Sequence, residues 1–432
     1  MSEMKSSRQK HVAVLAFPFA SHPLPLFNLM SKLASSNCRT RSALPNNVKL
    51  YSVDDGIPEC HVGVENGQEE AGLFIKAVPR NFKDGIDVAA TETGKKLTCL
   101  VTDAFLSFSV GKMAEEMSVP WVSFWVPAPY AFQLIFTWIK DQSLESIPGL
   151  SALCIGDLPK KALPRDQSQL DFSPFSAMIR SMGVLLHKAS AVVMISFQEI
   201  NPVLLINDMR LKFQNFLYVG FLSLPVPLPP PTVEDKTGCL SWLANKKASV
   251  AYISFGTLAA IPGNELEALA EALHVINTSS GVPFLWSLKD NFKSYLPDGF
   301  LERTRNQGKV VPWAPQGQVL AHGSIGVHVA HGGHNSVCES ILGGVPMICR
   351  PVCADHYMNA RMVEQGWGIG VRVEAGLITR SGMLKSLATV FHHENGQKMR
   401  DAIGGLKEAV LKAAGLSGSA AKDFNTLLRL IA

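Results

Sequence analysis

The stretch Ile325-Gly-Val-His-Val-Ala-His-Gly-Gly-His-Asn-Ser336 predicts the fold class of this chain. Its first half is a short apolar run rich in valine, as in strands buried in a parallel sheet. The run leads into a loop at 331–334, and a helix is predicted to start near Ser336. The two consecutive glycines of that loop let the backbone approach a ligand closely. Free N–H groups and the positive end of the helix dipole would favour a phosphate group at this turn.

Strand and helix patterns alternate along the whole chain. Short apolar runs predict buried strands at 11–17, 97–102, 121–124, 191–196, 250–255, 284–288, 309–311, 325–329 and 345–350. The proline-rich run 225–231 interrupts the alternation and predicts a stiff linker. We therefore predict two doubly wound α/β domains at 1–224 and 236–432, a linker at 225–235, and a final helix that packs back on the first domain. Ligands of such sheets bind beyond the carboxyl ends of the strands, so a cleft between two facing domains is the expected site.

The composition is that of a folded protein and argues against several classes of partner. The 432 residues are 47% hydrophobic and 18% charged, with 40 Lys and Arg against 36 Asp and Glu. A net charge of +4 without a basic run is too weak for a nucleic-acid-binding surface. The eight cysteines show no C-x-x-C spacing, which predicts reduced thiols in a cytoplasmic protein. Residues 117–139 are uncharged but contain three prolines, so we predict a strand, a loop and a helix there and no integral membrane segment.

Further residues near the glycine loop suggest a nucleotide site. Trp313 lies between two prolines, directly after a predicted strand. A stiffly held indole there could stack on a flat base, and a core tryptophan is the alternative. Asn335 and Ser336 add side-chain donors next to the proposed phosphate position. The spacing from Ser336 to Glu339 also fits a helix capping box, which is a common pattern.

A metal site is an alternative use of the histidines in the same segment. His328, His331 and His334 are spaced three apart, and two more histidines lie nearby. The three fall in a strand, a loop and a helix entrance, so their side chains need not converge. No D-x-D pair is present to hold a metal–diphosphate. We therefore predict neither a metal nor another cofactor.

In the first domain, a histidine and an aspartate each follow a predicted strand. His22 comes just after the first strand, and Asp103 just after another. Because the carboxyl ends of parallel strands lie along one edge of a sheet, the two could meet. An Asp that accepts a hydrogen bond from one imidazole nitrogen leaves the other nitrogen as a general base. The pair is therefore a hypothesis for catalysis.

Together these features resemble the plant family of UDP-sugar-dependent glycosyltransferases that modify small molecules. The segment from Trp313 to His356 has the 44-position length of the family's signature box, with its W-A-P-Q start and H-x-G-x-N-S centre. The similarity extends over nearly the whole chain, and 15–19, 99–105 and 250–257 look closest to the flavonoid and anthocyanidin 3-O-glycosyltransferase branch. The resemblance implies the GT-B architecture, with two facing Rossmann-like domains and an interdomain cleft. A monomer is expected.

The resemblance also implies roles for individual residues. His22 would be the general base and Asp103 its partner. UDP would be bound by Thr257, Trp313, Ala314, Gln316, His331, Asn335, Ser336 and Glu339. The sugar would be bound by Ser21, His334, Asp355 and His356, and the acceptor by Val126 and Tyr130. The implied reaction transfers a hexose from UDP-galactose or UDP-glucose to a small phenol, such as a flavonol or anthocyanidin, with inversion and without a metal.

The last position of the signature box bears on the donor sugar. His356 stands where glucosyltransferases of the family usually have Gln and galactosyltransferases often have His. One misplaced hydrogen bond in a closed pocket is worth about 1–3 kcal/mol, which is enough to switch preference. We predict a UDP-galactose:flavonoid 3-O-galactosyltransferase, with glucosyl transfer as the alternative.

Other departures from the family pattern lead to a second hypothesis. His334 replaces the usual Trp, and Gly332 the usual Cys. Val126 and Tyr130 occupy a stretch that usually carries Thr and a small polar residue. Residues 37–47 are too few for the additional strand that family members have before the strand expected near Val48, so a sheet edge would be left unpaired. A weakly active or non-catalytic UDP-sugar-binding protein is therefore the second hypothesis.

A third hypothesis is a dinucleotide-dependent oxidoreductase. It rests on the glycine pattern Gly366-Trp-Gly-Ile-Gly370. Those glycines open a strand-like run and not a strand-to-helix turn, which argues against a dinucleotide-binding motif.

Overall fold

The chain forms two compact units. The computed structural model describes residues 10–19, 22–34, 46–58, 68–141, 147–158, 174–222, 235–246, 249–256, 260–392 and 394–431. The first unit comprises Met1–Gly149, Lys160–Ser223 and Leu416–Ala432, and the second comprises Leu150–Pro159 and Leu224–Gly415. Nearly all of the predicted linker at 225–235 lies outside the described residues.

The first unit contains a five-stranded parallel sheet, with its strands in sequence order. The strands are β1 (Val12–Leu15), β2 (Cys99–Asp103), β3 (Trp121–Trp125), β4 (Ala191–Met194) and β5 (Phe216–Tyr218). The helices before the linker are α1 (Pro23–Ala34), α2 (Gln68–Thr93), α3 (Ser107–Met117), α4 (Pro129–Asp141), α5 (Pro174–Leu185) and α6 (Val203–Lys212). Every residue of β2, β3 and β4 is buried, which explains their nearly continuous apolar runs. Residues 117–139 contain β3 and most of α4, as predicted.

The strand expected near Val48 is absent, so that prediction is wrong. Residues 48–55 form no strand, and Leu50 is exposed. Lys49 instead forms an ion pair with Glu92 of α2. The shortened segment 37–47 lies mostly outside the described residues. Within the described part of the chain, β1 pairs only with β2, which leaves its other edge without a strand.

The second unit contains a six-stranded parallel sheet of order β11-β10-β9-β6-β7-β8. The strands are β6 (Val250–Ser254), β7 (Phe284–Ser287), β8 (Gly308–Val311), β9 (Ile325–Ala330), β10 (Met347–Cys349) and β11 (Gly370–Arg372). The helices are α7 (Cys239–Ala244), α8 (Gly263–Ser280), α9 (Phe300–Thr304), α10 (Gln316–Ala321), α11 (His334–Gly343), α12 (His356–Arg361), α13 (Arg380–His392) and α14 (Glu394–Ala414). The strand order reverses on either side of β6, and in doubly wound sheets ligands bind at this switch point.

Helices cover both faces of the second sheet. Along β6, Ala251 and Ile253 point into one hydrophobic core, while Val250 and Tyr252 point into another. Alternate residues of a strand face opposite sides of a sheet, so a strand buried on both faces must be apolar throughout. Among the described residues, no helix is both long and apolar enough to cross a membrane.

Two segments belong to a different unit from the residues that surround or precede them in the sequence. The predicted boundary at 224 assigns 150–159 to the first domain, but these residues group with the second unit. The reason is Asp157, which forms ion pairs with Arg361 and Arg372. The final helix, α15 (Ser419–Ile431), belongs to the first unit. Its Asp423 accepts a hydrogen bond of 2.8 Å from the backbone N–H of Tyr218 in the edge strand β5.

The apolar face of α15 predicts that this helix stabilises the first unit. Leu427 is 0% exposed and packs in the core of the first sheet. Leu427→Ala should therefore lower the free energy of unfolding by about 2–5 kcal/mol. Leu211 is 88% exposed on α6, so Leu211→Ala should change it by less than about 0.5 kcal/mol. Urea unfolding followed by tryptophan fluorescence measures both, and equal effects would contradict this role of α15.

Candidate active site

The first unit brings His22 and Asp103 together. His22 lies immediately before α1, and Asp103 is the last residue of β2. The distance from His22 Nδ1 to Asp103 Oδ2 is 2.7 Å. The side chains meet because β1 and β2 pair in parallel, with Leu15 opposite Thr102. The other carboxylate oxygen of Asp103 accepts a hydrogen bond of 2.9 Å from the backbone N–H of Phe105, so both oxygens are held.

The surroundings of this pair suit proton transfer. His22 is 8% exposed and Asp103 is 1% exposed. The imidazole packs against Phe105, with ring centroids 4.7 Å apart, and against Phe17 at 5.4 Å. An ionised carboxylate can only accept hydrogen bonds, so His22 Nδ1 carries the proton. The lone pair of Nε2 is then available to take a proton from a hydroxyl group.

The side chains predicted to bind the acceptor are buried. Val126 belongs to the hydrophobic core of the first unit, and Tyr130 is buried in α4. Neither presents an exposed surface in this structure, and their role in acceptor binding stays a prediction. Two further predicted positions, Ser21 and Thr257, lie outside the described residues.

In the second unit, the glycine loop follows β9 and leads into α11. The helix begins at His334, two residues earlier than predicted, and no side chain caps it. Gly332 has a φ of +82°, and a Cβ there would lie 3.1 Å from the backbone oxygen of His356. A Cβ at Gly333 would lie 2.4 Å from His331 Nε2. Both positions therefore need glycine, which keeps the backbone at the start of α11 open to a ligand.

The capping-box interpretation of 336–339 is wrong. Ser336 lies inside the first turn of α11, and its hydroxyl accepts a hydrogen bond of 3.1 Å from Gln316 Nε2. The same nitrogen donates to the carboxylate of Glu339. Tyr252 of β6 donates to Gln316 Oε1 at 3.3 Å, which fixes the orientation of the amide. Both side chains of the supposed box are thus held by α10.

The Glu339 carboxyl is poised between its charged and neutral forms. Burial raises the pKa of Glu339 to about 7, and the hydrogen bond from Gln316 opposes this rise. The side chain is half-buried, so a ligand can reach it. A carboxylate in this position can accept hydrogen bonds from two neighbouring hydroxyl groups.

The indole of Trp313 is presented to solvent. Trp313 follows β8 and is 59% exposed, whereas the adjacent Ala314 is buried. The alternative of a core tryptophan is therefore wrong. Gln316 follows at the start of α10 and contacts Ser336 of α11, so the loop of Trp313 is joined to the start of that helix. An exposed, stiffly held indole offers a stacking surface for a flat ring.

The histidines of this segment have different partners. His328 is buried in β9 and bonds to Ser340 at 2.7 Å, and His334 contacts Cys338. His331 and His356 contact each other instead, with ring centroids 4.7 Å apart. Within the described ranges, no group of three or more His, Cys, Asp or Glu side chains could hold a metal ion.

His331 and His356 are both uncharged at neutral pH. Burial, together with the nearby His356, lowers the pKa of His331 to about 3. Burial also lowers the pKa of His356, although Asp355 opposes the shift. His356 Nδ1 accepts a hydrogen bond of 3.3 Å from the backbone N–H of Cys353, so its Nε2 carries the proton. His331 Nδ1 is buried and has no hydrogen-bond partner among the described residues.

Asn359 joins the glycine loop to the start of α12. Its side-chain nitrogen donates to the backbone oxygen of Gly332 at 2.8 Å and to Asp355 Oδ2 at 3.1 Å. Asn335, the second residue of α11, is half-buried. The sequence patterns do not single out Asn359 or Tyr252. Each is a polar residue within an apolar stretch, and this could have indicated a buried group that needs a hydrogen-bond partner.

The raised pKa of Glu339 predicts a pH-dependent stability. Its folded-state pKa of about 7 exceeds its ordinary value of 4.5, so the folded chain holds this proton more tightly. The resulting stabilisation is complete below pH 4.5 and is lost as the pH rises through about 7. Glu339→Gln should remove this dependence, on the order of 1–3 kcal/mol. Urea unfolding of both proteins from pH 4 to pH 8, about this pKa, tests this, and parallel profiles would contradict it.

Comparisons with known proteins identify the family. A family model described as UDP-glucoronosyl and UDP-glucosyl transferase matches residues 239–401. A flavonol 3-O-glucosyltransferase of Actinidia chinensis var. chinensis is 44% identical, over 98% of this chain and 97% of that protein. An anthocyanidin 3-O-galactosyltransferase of the same plant is 43% identical, over 99% and 98%. The first alignment spans 458 positions, whereas this chain has 432 residues. At least 26 of the aligned positions are therefore gaps in this chain.

Solved structures show the same fold. A UDP-glucose:anthocyanidin 3-O-glucosyltransferase in complex with UDP is 41% identical, with a TM-score of 0.88 over 98% of each chain. A UDP-glucosyltransferase from Polygonum tinctorium, at 22% identity and a TM-score of 0.80 over 98% of each chain, shares the fold. The chain therefore belongs to the UDP-glycosyltransferase family, and it is an enzyme of that family with the GT-B fold.

Proposed function

We propose that this enzyme is an inverting UDP-galactose:flavonoid 3-O-galactosyltransferase. The observation that carries the proposal is the buried pair of His22 and Asp103, in a chain whose second unit joins Gln316 to Ser336 and Glu339 beside a glycine loop. Its relatives support the substrate classes, because they are named as flavonol and anthocyanidin 3-O-glycosyltransferases.

In the proposed reaction, His22 activates the acceptor. A phenolic hydroxyl is a weak nucleophile until its proton leaves. His22 Nε2 takes that proton, and the carboxylate of Asp103 stabilises the imidazolium that forms. The acceptor oxygen attacks C1 of the hexose from the face opposite the diphosphate. The bond from C1 to the diphosphate breaks, UDP leaves with the electron pair, and an α-linked donor gives a β-glycoside.

The second unit would bind and stabilise UDP without a metal. Trp313 would stack on uracil, the backbone of Ala314 would bind its edge, and Glu339 would accept from the ribose hydroxyls. The start of α11 would face the diphosphate with Asn335 and Ser336, and His331 would donate from an uncharged ring. Fixed N–H groups and the helix dipole stabilise negative charge as it grows on the leaving group.

Replacing the base should abolish turnover but not nucleotide binding. His22→Ala should lower kcat/KM by about 10²–10⁴-fold, the usual contribution of a general base. Asp103→Asn should also lower it, because the amide no longer favours a proton on His22 Nδ1. Initial rates with UDP-galactose and a flavonol measure this, and calorimetry with UDP provides the control. Unchanged turnover in His22→Ala would remove the base assignment.

Galactose is the proposed donor sugar because of His356. The ring is fixed by the backbone N–H of Cys353 and by contact with His331, so its Nε2–H has a defined direction. Galactose and glucose differ only in the orientation of the 4-hydroxyl, and a fixed donor can discriminate between them. The two Actinidia relatives differ in the sugar of their names, so the general likeness does not decide between donors.

The donor preference can be tested by one substitution. His356→Gln should shift the ratio of kcat/KM for UDP-galactose to that for UDP-glucose toward glucose by about 10-fold, the effect of one hydrogen bond. The affinity for UDP alone should stay unchanged, since UDP lacks the sugar. Initial rates with both donors and one flavonol measure the ratio. A wild-type enzyme that strongly prefers glucose would refute the galactose proposal.

A non-catalytic UDP-sugar-binding protein is the second candidate. It is favoured by the gaps in the alignment to the Actinidia glucosyltransferase and by His334 at a position that usually carries Trp. Wild-type protein that binds UDP in calorimetry, but shows no turnover on a panel of flavonols, anthocyanidins and simple phenols, would favour this candidate over the enzyme.

A further inference from the structure

A buried carboxylate in the second unit holds two arginines. Asp157 is 3% exposed and lies in the segment 150–159. Its Oδ2 accepts hydrogen bonds of 2.8 Å from Arg361 Nε and 2.9 Å from the backbone N–H of Cys154. Its Oδ1 accepts from Arg361 Nη2 at 3.3 Å and from Arg372 Nη1 at 3.2 Å. A carboxylate so fully paired is fixed in position, and so are its partners.

One of these arginines lies in the helix that begins at the proposed sugar site. His356 is the first residue of α12, Asp355 is its N-cap, and Arg361 lies where α12 continues directly into a π-helix, Met362–Gly366. Arg361 lies only about 8 Å from His356 along the helix axis, so displacement of Arg361 moves His356. Asn359 attaches the middle of the helix to the glycine loop. The ion pair with Asp157 is therefore a second attachment of this helix, at the point where α12 continues into the π-helix.

We propose that Asp157 is a positioning residue for the donor sugar, which it serves by holding Arg361 and thereby the orientation of Asp355 and His356. This inference rests on the proposed function, in which those two residues contact the sugar hydroxyls. Hydrogen-bond discrimination requires side chains to be held within about 0.5 Å. The uracil and ribose positions depend on α10 and α11 instead, so loss of Asp157 should affect binding of the sugar more than binding of UDP.

The test compares binding of UDP and UDP-galactose by calorimetry. Asp157→Asn keeps the size of the side chain but removes its charge. We expect the Kd for UDP to stay within about twofold of wild type, while the Kd for UDP-galactose rises by about 10-fold, as for a misplaced contact. The kcat/KM ratio for UDP-galactose over UDP-glucose should move toward one. Arg361→Gln should reproduce these changes and provides a second variant if Asp157→Asn does not fold.

Arg372→Gln is the control. It removes the other arginine from the same carboxylate, together with the ion pair of 2.8 Å from Arg372 Nε to Glu364 Oε2 in the π-helix. Arg372 itself belongs to β11, and neither of its pairings reaches α12. Arg372→Gln should lower the unfolding midpoint at least as much as Arg361→Gln and change the Kd ratio less. Wild-type ratios in Asp157→Asn and Arg361→Gln, or an equal change in Arg372→Gln, would overturn the inference. Because the Kd ratio needs neither acceptor nor His22, absence of turnover in the wild type would count only against the proposed function.

Discussion

Parallel pairing of strands places the chemistry of this protein at one edge of each sheet. In the first unit, His22 follows β1 and Asp103 ends β2. In the second unit, Trp313, the glycine loop and His356 follow β8, β9 and β10. All strand pairs run parallel, so each loop emerges at the carboxyl edge of its sheet. Residues far apart in the chain become neighbours through this single constraint.

Burial sets the charge of these groups. It lowers the pKa of His331 to about 3 and raises that of Glu339 to about 7. His331 is consequently an uncharged donor and acceptor at neutral pH. None of the described residues proposed to contact UDP or its sugar is a Lys or Arg. An anionic ligand would therefore be held by N–H groups and a helix dipole, whose strength depends on geometry and on the exclusion of water.

Much of the fold and the site could be predicted from the sequence, because the signals were local. Valine-rich runs and glycine-rich turns mark strands and loops wherever they occur, and the signature box identifies the family. The predictions that failed depended on partners distant in sequence. The spacing of Ser336 and Glu339 fits a capping box, but Gln316 from α10 binds both side chains. The stretch near Val48 could form a strand, but it pairs with α2 through Lys49 and not with a sheet.

The sequence by itself determined the family, the two-unit α/β organisation and the residue types available for chemistry. Only the tertiary structure decided which of them meet. It brought His22 onto Asp103 across 81 positions of sequence and attached Asp157 to Arg361 across 204 positions. It also exposed Trp313 and brought His331 against His356. The local sequence pattern indicates which secondary structure a segment prefers. Contacts between distant segments depend instead on how complete sheets and helices pack.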